Sequence, residues 1–307
     1  MANLPSRKRG RVLSRLAVAA IAAALVGTSA GAAAADTAAP EPLKNVDVNA
    51  LVAAPSNAPA VTQAAPAPVF LLWSVDKKND AYLYGPNGTG GFAARAYVSG
   101  GWDTIKHVSS IDLNADSEHD GVWTWDTAGN VYFANDNTRL VGKGWKIYNQ
   151  VLSPGNLGGT APDDVLARDN SGVLWLYKGN SNGTLAARVK VGPGWNAYSH
   201  ITGKGDLSGD GRADILAKDK TGALWLYKGT GNAAAPFSAR AKVGAGWNIY
   251  NRIIANGDLN MDGRADVVTR DAAGALWMYK GTGKAAAPFS TPRVKVGTGF
   301  NIYSKLF

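Results

Sequence analysis

Ala223-Leu224-Trp225-Leu226-Tyr227-Lys228-Gly229 places Leu224 and Leu226 on one side of an extended chain and Trp225 and Tyr227 on the other. A period of two belongs to a strand. Ala213-Asp214-Ile215-Leu216-Ala217-Lys218-Asp219 precedes this run across the turn Lys220-Thr221-Gly222, and Ala239-Arg240-Ala241-Lys242-Val243-Gly244 follows it. His200-Ile201-Thr202-Gly203 comes before them all. Four short strands with no helical stripe make one propeller blade.

The unit recurs. Gly101-Trp102, Gly144-Trp145, Gly194-Trp195, Gly246-Trp247 and Gly299-Phe300 stand 43, 50, 52 and 53 residues apart, which predicts five copies. The chain ends are out of phase in a complementary way. Phe70-Leu71-Leu72-Trp73 aligns with the second-strand run Asp214-Ile215-Leu216-Ala217, whereas Ile302-Tyr303-Ser304-Lys305-Leu306-Phe307 matches a first strand, as in Tyr250-Asn251-Arg252-Ile253-Ile254. The two fragments complete one blade, and a closed ring hides sheet edges. An all-β, five-bladed β-propeller over residues 69–307 is therefore expected.

What precedes the repeats reads differently. Residues 1–35 carry Arg7, Lys8, Arg9, Arg11 and Arg15, an apolar run from Leu16 to Val26, and small residues ending in Ala33-Ala34-Ala35. That is a signal peptide, with an apolar run about half the ~20 residues a bilayer span needs, so a secreted protein without membrane insertion is expected. Residues 36–68 are rich in Ala and Pro, lack aromatic residues, and read as a linker. The 307-residue chain has a formal charge of +9, but the leader holds five of its 32 basic and none of its 23 acidic residues. The remainder is close to neutral, at 27 against 23, so nucleic-acid binding has no basic stripe to support it. The absence of cysteine excludes disulfides and thiol chemistry.

Between first and second strands, Asp206-Leu207-Ser208-Gly209-Asp210-Gly211-Arg212-Ala213-Asp214 recurs as Asp258-Leu259-Asn260-Met261-Asp262-Gly263-Arg264-Ala265-Asp266. Oxygen side chains at positions 1, 3, 5 and 9, a glycine at 6 and an inward carbonyl at Arg212 or Arg264 are the way hard-oxygen loops collect calcium. Position 12 is Ala217 or Thr269 and a strand follows, so neither loop is an EF-hand. A third copy, Asp112, Asn114, Asp116, Glu118 and Asp120, has Ser117 in place of the glycine, and weaker binding is expected there. Asn156-Leu157-Gly158-Gly159-Thr160-Ala161-Pro162-Asp163-Asp164 has lost most carboxylates, and the first blade has no loop, so neither should hold metal.

These loops resemble those of the FG-GAP or VCBS repeats of integrin-like β-propellers, which read D-x-[DNS]-x-D-G-x-x-D. The likeness spans roughly residues 69 to 307. It implies calcium as a structural element, and a role in adhesion, as a lectin, or as a module of secreted hydrolases. Five repeats depart from the integrin seven, and the blade count is similar to tachylectin-type lectin propellers. No sugar-binding motif of such families aligns here.

The three histidines, His107, His119 and His200, neither recur at one repeat position nor form a metal-binding spacing, and no Gly-x-Ser-x-Gly elbow or phosphate loop occurs. A non-catalytic protein is expected. The remaining recurrence is aromatic: Trp195-Asn196-Ala197-Tyr198, Trp247-Asn248-Ile249-Tyr250 and Phe300-Asn301-Ile302-Tyr303. A ring face beside an amide suits a sugar, while the plainer role for the same rings is to wedge adjacent blades. Trp175, Trp225 and Trp277 are expected in the core. The expected partners are glycans of a cell surface or wall, with a protein-interaction scaffold as the competing reading.

Overall fold

Alternating side chains and frequent turn glycines fold the described residues into twenty short strands. The structure, a computed structural model, describes residues 67–87 and 90–307. The expected leader, and the expected linker up to residue 66, lie outside the described residues. Blade 1 holds β1 (Leu72–Asp76), β2 (Ala81–Tyr84) and β3 (Ala96–Ser99). Blade 2 is β4 (Ile105–Ile111), β5 (Gly121–Asp126), β6 (Val131–Ala134) and β7 (Thr138–Gly142). Blade 3 is β8 (Tyr148–Gly155), β9 (Asp164–Asp169), β10 (Leu174–Tyr177) and β11 (Val189–Gly192). Blade 4 is β12 (Tyr198–Thr202), β13 (Ile215–Asp219), β14 (Leu224–Tyr227) and β15 (Ala241–Gly244), and blade 5 is β16 (Tyr250–Gly257), β17 (Asp266–Asp271), β18 (Leu276–Tyr279) and β19 (Val294–Gly297).

The last strand, β20 (Tyr303–Leu306), joins blade 1 and gives it the order β20-β1-β2-β3. The pairing is antiparallel, with Ser74 opposite Leu306 and Val75 opposite Lys305. Trp73 and Phe307 exchange backbone hydrogen bonds of 3.2 and 2.9 Å. The first and last described strands therefore share one sheet, as their complementary phases predict.

Burial shows the ring closing. Five apolar clusters each straddle one seam between neighbouring blades, and the fifth joins Leu72 and Leu306 of blade 1 to Leu259, Val268 and Met278 of blade 5. The two faces of a strand serve two seams. Leu224 and Leu226 enter the seam with blade 5, while Trp225 and Tyr227 pack against the seam with blade 3. Each blade passes to the next through one turn of 3-10 helix: Trp102–Thr104, Trp145–Ile147, Trp195–Ala197, Trp247–Ile249 and Phe300–Ile302. The glycine before each turn has a φ between 78° and 91°, a left-handed conformation that costs any residue with a Cβ.

The N-terminal segment crosses blade 5 before its own blade begins. The Asp258 N–H donates to the Pro68 carbonyl at 2.9 Å, and Phe70 N–H donates to Asn256 at 3.1 Å. Ala67 packs against the seam between blades 4 and 5. Ala67 and Pro68, counted with the linker in the sequence, thus already touch the ring.

Candidate functional site

The aspartate loops and the Gly-Trp turns lie at opposite ends of the inner strands, because one leaves each strand and the other enters it. The loops are organised from within by their first aspartate. Asp206 accepts the N–H groups of Ser208, Gly209 and Asp210 on Oδ1 and of Gly211 on Oδ2. Asp258 accepts from Asp262 and Gly263 in the same way, and Asp112 from Asn114, Ala115 and Ser117. Position 5 holds position 7: Asp116, Asp210 and Asp262 accept from the N–H groups of Glu118, Arg212 and Arg264. Ser117 adopts a φ of 66°, the left-handed conformation that Gly211 and Gly263 adopt at 81° and 86°. The third loop therefore keeps the backbone course at some strain.

The ninth position separates the loops. Asp214 accepts Leu207 and Ser208 N–H on Oδ2 and Gly229 N–H on Oδ1. Asp266 accepts Leu259, Asn260 and Gly281, and Asp164 of the degenerate loop accepts Leu157, Gly158 and Gly179. These carboxylates staple the loop to the connection between third and fourth strands. Asp120 accepts the Leu113 N–H on Oδ2 at 2.7 Å. It meets Asp112 and Asp116, and a ligand oxygen from each of the three lies within 4.8 Å of the others. Among the described residues this is the one such group, and it forms in the loop expected to bind most weakly. Three hard oxygens at this spacing, with the Asn114 amide beside them, could hold a hard metal ion. The loops at 206–214 and 258–266 keep the oxygen set, but their ninth carboxylates are engaged by backbone donors on both oxygens.

Burial raises these carboxyls. Asp214 and Asp258 are pushed up to about 6 and Asp266 to about 7, chiefly by desolvation, with backbone donors opposing it. Asp120 is raised for the same reason, with Asp112 and Asp116 adding to the effect. A cation would offset this clustering of like charge.

Next to the third loop lies a tie that the repeat pattern does not reveal. Lys204 Nζ, buried, donates to Asp163 Oδ2 at 2.6 Å and to the Ser110 carbonyl at 2.8 Å, and sits 4.3 Å from the Phe70 ring centroid. Asp163 Oδ2 also accepts the Asp112 N–H. One ammonium thus joins blades 2, 3 and 4 to the N-terminal segment and abuts the start of the Asp112 loop. His119, inside that loop, is buried 6.2 Å from Phe70 and held neutral, its pKa pushed down to about 3 by desolvation.

At the other end of the ring, the turns place the predicted sugar contacts differently from expectation. Trp195, Trp247 and Phe300 are 6–7% exposed, and Tyr198, Tyr250 and Tyr303 are buried with them. Trp195 stacks on Tyr227 at 5.0 Å and Trp247 on Tyr279 at 4.7 Å. The left-handed glycine turns the ring into the seam, so these aromatics wedge blades and offer no free face. What faces solvent is the rest of the turn: Asn196, Asn248 and Asn301, and beside them Ile249 and Ile302, 56% and 50% exposed, with Ile147 in the equivalent place. The asparagines occupy the space left by Gly172, Gly222 and Gly274 of the preceding blades, and Asn301 donates to the Ala272 carbonyl at 3.1 Å. Trp175, Trp225 and Trp277 also depart from expectation. They are half-buried, each indole N–H donating to Asp169, Asp219 or Asp271, with Arg188, Arg240 or Arg293 stacked about 4 Å over the ring. An arginine immediately before the next strand is the signal that these rings need not be core.

A cavity of about 610 Å³ occupies the middle of the ring, lined by the inner strands β4, β8, β12, β16 and β20. Its rim at the turn end carries exposed residues such as Asp103, Asn149 and Ser199, and its inner end is closed by buried Leu152, Ala255 and Asn256. His107 and His200 line it, half-buried and held neutral, pushed down to about 3 and about 4 by desolvation. No described helix is long and apolar enough to cross a membrane.

No curated protein matches the sequence. Residues 161–217 and 206–269 each match the family model of the FG-GAP-like repeat. Among solved structures, the BP39L lectin from Burkholderia pseudomallei is 16% identical over 70% of this chain and 66% of its own, with a TM-score of 0.42. The calcium-binding protein regucalcin from Agrobacterium tumefaciens is 11% identical, covering 76% of both chains, with a TM-score of 0.40. Prp20p from Saccharomyces cerevisiae is 10% identical over 75% of this chain, with a TM-score of 0.37, and this chain spans 61% of its length. At these identities and scores none of the three assigns a property to this chain.

Proposed function

We propose that this five-bladed ring of FG-GAP-like repeats is a non-catalytic, calcium-stabilised binding module of an exported protein, recognising glycans of a cell surface or wall through its turn face. The observation that carries the reading is the repetition of an exposed amide beside a small or aliphatic side chain at Asn196-Ala197, Asn248-Ile249 and Asn301-Ile302 on one end of the ring. Equivalent weak sites on a rigid circle bind a repetitive polymer with avidity. Calcium is supported by the Asp112, Asp116 and Asp120 group, and export by the expected leader.

A glycan array read with and without calcium tests this. Binding to a related set of glycans is expected, and Asn248→Ala should weaken it several-fold, since one neutral hydrogen bond is worth about 1 kcal/mol, while leaving the melting temperature unchanged. A silent array, or binding indifferent to Asn248→Ala, contradicts the glycan reading. The exposed Ile147, Ile249 and Ile302 favour a second reading, in which the same face docks a protein. Under that reading Ile249→Asp abolishes capture of a co-purifying protein and the array stays silent.

A further inference from the structure

Each inner strand sends one equivalent side chain into the channel: His107, Gln150, His200, Arg252 and Lys305. Three of them are spent on the ring. Gln150 Nε2 donates to the Ile201 carbonyl of the next blade at 2.7 Å, His200 Nε2 lies 2.6 Å from the Ile253 carbonyl, and Lys305 Nζ donates to the Trp102 and Ile105 carbonyls at 3.0 and 2.5 Å. His107 is enclosed by the rings of Trp125 and Phe307, both 5.4 Å away.

Arg252 does none of this. Its Nε is buried without a hydrogen-bond partner, and among the described residues no carboxylate pairs with it. Burial alone holds its pKa below the usual guanidinium value, with no acidic neighbour acting the other way. The other cations on the wall are committed: Lys106 donates to the Tyr148 carbonyl, and Arg168 to those of Trp195 and Tyr198. The acidic side chains on the wall are Asp103 on the rim and Asp126, whose carboxylate holds the Asn130 N–H and amide. A half-buried guanidinium whose Nε donor is orphaned is unfavourable until an anion supplies the missing acceptor.

We infer that the central channel is a binding site for the carboxylate of a small organic anion, anchored by Arg252. The cavity volume lies within the roughly 300–1,000 Å³ of pockets that enclose small molecules. One free guanidinium fork matches a planar carboxylate in bidentate fashion, whereas a phosphate dianion calls for a second free cation that the wall does not offer. Ile105, Ile254, Leu306 and Phe307 provide apolar wall for the carbon body. The site stands apart from the turn-face asparagines and does not depend on what they bind.

Calorimetry on the full chain tests the assignment, with benzoate and glucuronate as probes, benzamide and glucose as their uncharged counterparts, and inorganic phosphate as the competing anion. At least one carboxylate should bind saturably at one site per chain, its neutral counterpart should not, and Asn248→Ala should leave the affinity unchanged. Arg252→Gln should cost about tenfold or more, the value of a charge-assisted hydrogen bond. Because the Arg252 Nε holds no partner, this variant should melt like the parent. If it melts early, Arg252→Lys, which keeps the charge and loses the fork, replaces it and should show the same loss. Binding by neither carboxylate, equal affinity in the arginine variants, or tighter binding of phosphate overturns the inference.

Discussion

Removing the Lys204 ammonium should be among the most damaging single changes in the ring. Lys204→Met leaves Asp163, buried and already raised by desolvation, without its counter-charge, and leaves the Ser110 carbonyl without its donor. Breaking a buried pair from one side costs about 3–5 kcal/mol. At roughly 2–4 °C per kcal/mol for a domain of this size, the melting temperature should fall by about 6–20 °C. The loss has a pH signature. Burial raises the Asp163 carboxyl, so its protonated form is favoured in the folded chain, and its contribution to stability fades as pH rises through the folded value. Without Lys204 that value rises further, so the defect should be smaller near pH 4.5 than at pH 8. Asp163→Asn added to Lys204→Met keeps an acceptor for the Asp112 N–H and removes the stranded charge, so it should recover most of the loss. Thermal melts followed by tryptophan fluorescence, in chelator, provide the readout. A shift under about 2 °C in Lys204→Met, or no recovery in the double variant, refutes the reasoning.

Deleting residues 302–307 removes β20, strips blade 1 of its inner strand and opens the seam with blade 5; aggregation or a large loss of melting temperature is expected, and a truncated protein that melts like the parent would contradict the shared blade. In chelated protein Asp258 and Asp266 favour their protonated forms, so their stabilisation is present in acid and lost as pH rises through about 6 and 7. Calcium binds the ionised form, so its gain in melting temperature should be larger at pH 8 than at pH 5, as differential scanning calorimetry would show. His119 behaves oppositely: held neutral with a pKa of about 3, it loses its contribution as pH falls below its unfolded value of 6.5. His119→Gln should therefore flatten the acid side of the stability curve measured by denaturant titration.

How much of this was legible in the sequence follows from what repeats. The alternation in Leu224-Trp225-Leu226-Tyr227 and the complementary phases of Phe70 and Tyr303 predict blades and closure because both are periodic properties of the backbone. The direction in which a ring points is not periodic information. Gly246-Trp247 could present or hide its indole until the left-handed glycine and the 3-10 turn are seen to tuck it into the seam. The aspartate spacing reveals loops, but it could not tell that Asp214 and Asp266 are engaged by Gly229 and Gly281 whereas Asp120 meets Asp112 and Asp116. Lys204 and Asp163 stand 41 residues apart and occur once each, so nothing in the repeat announces the tie. Arg252 shares its inward register with four other side chains, and nothing in the repeat tells that its Nε stays without a partner.

The most direct measurement is calcium binding to chelated full-length protein at neutral pH, by calorimetry with a melting curve at each calcium level. The account predicts saturable uptake at the aspartate loops with Asp112, Asp116 and Asp120 among the ligands, so that Asp116→Asn removes one site. Each independent site should contribute roughly 2.7 kcal/mol at 100 times its Kd, and the melting temperature should climb with occupancy. Zero stoichiometry, or uptake that leaves the melting curve where it was, would contradict a ring stabilised by calcium.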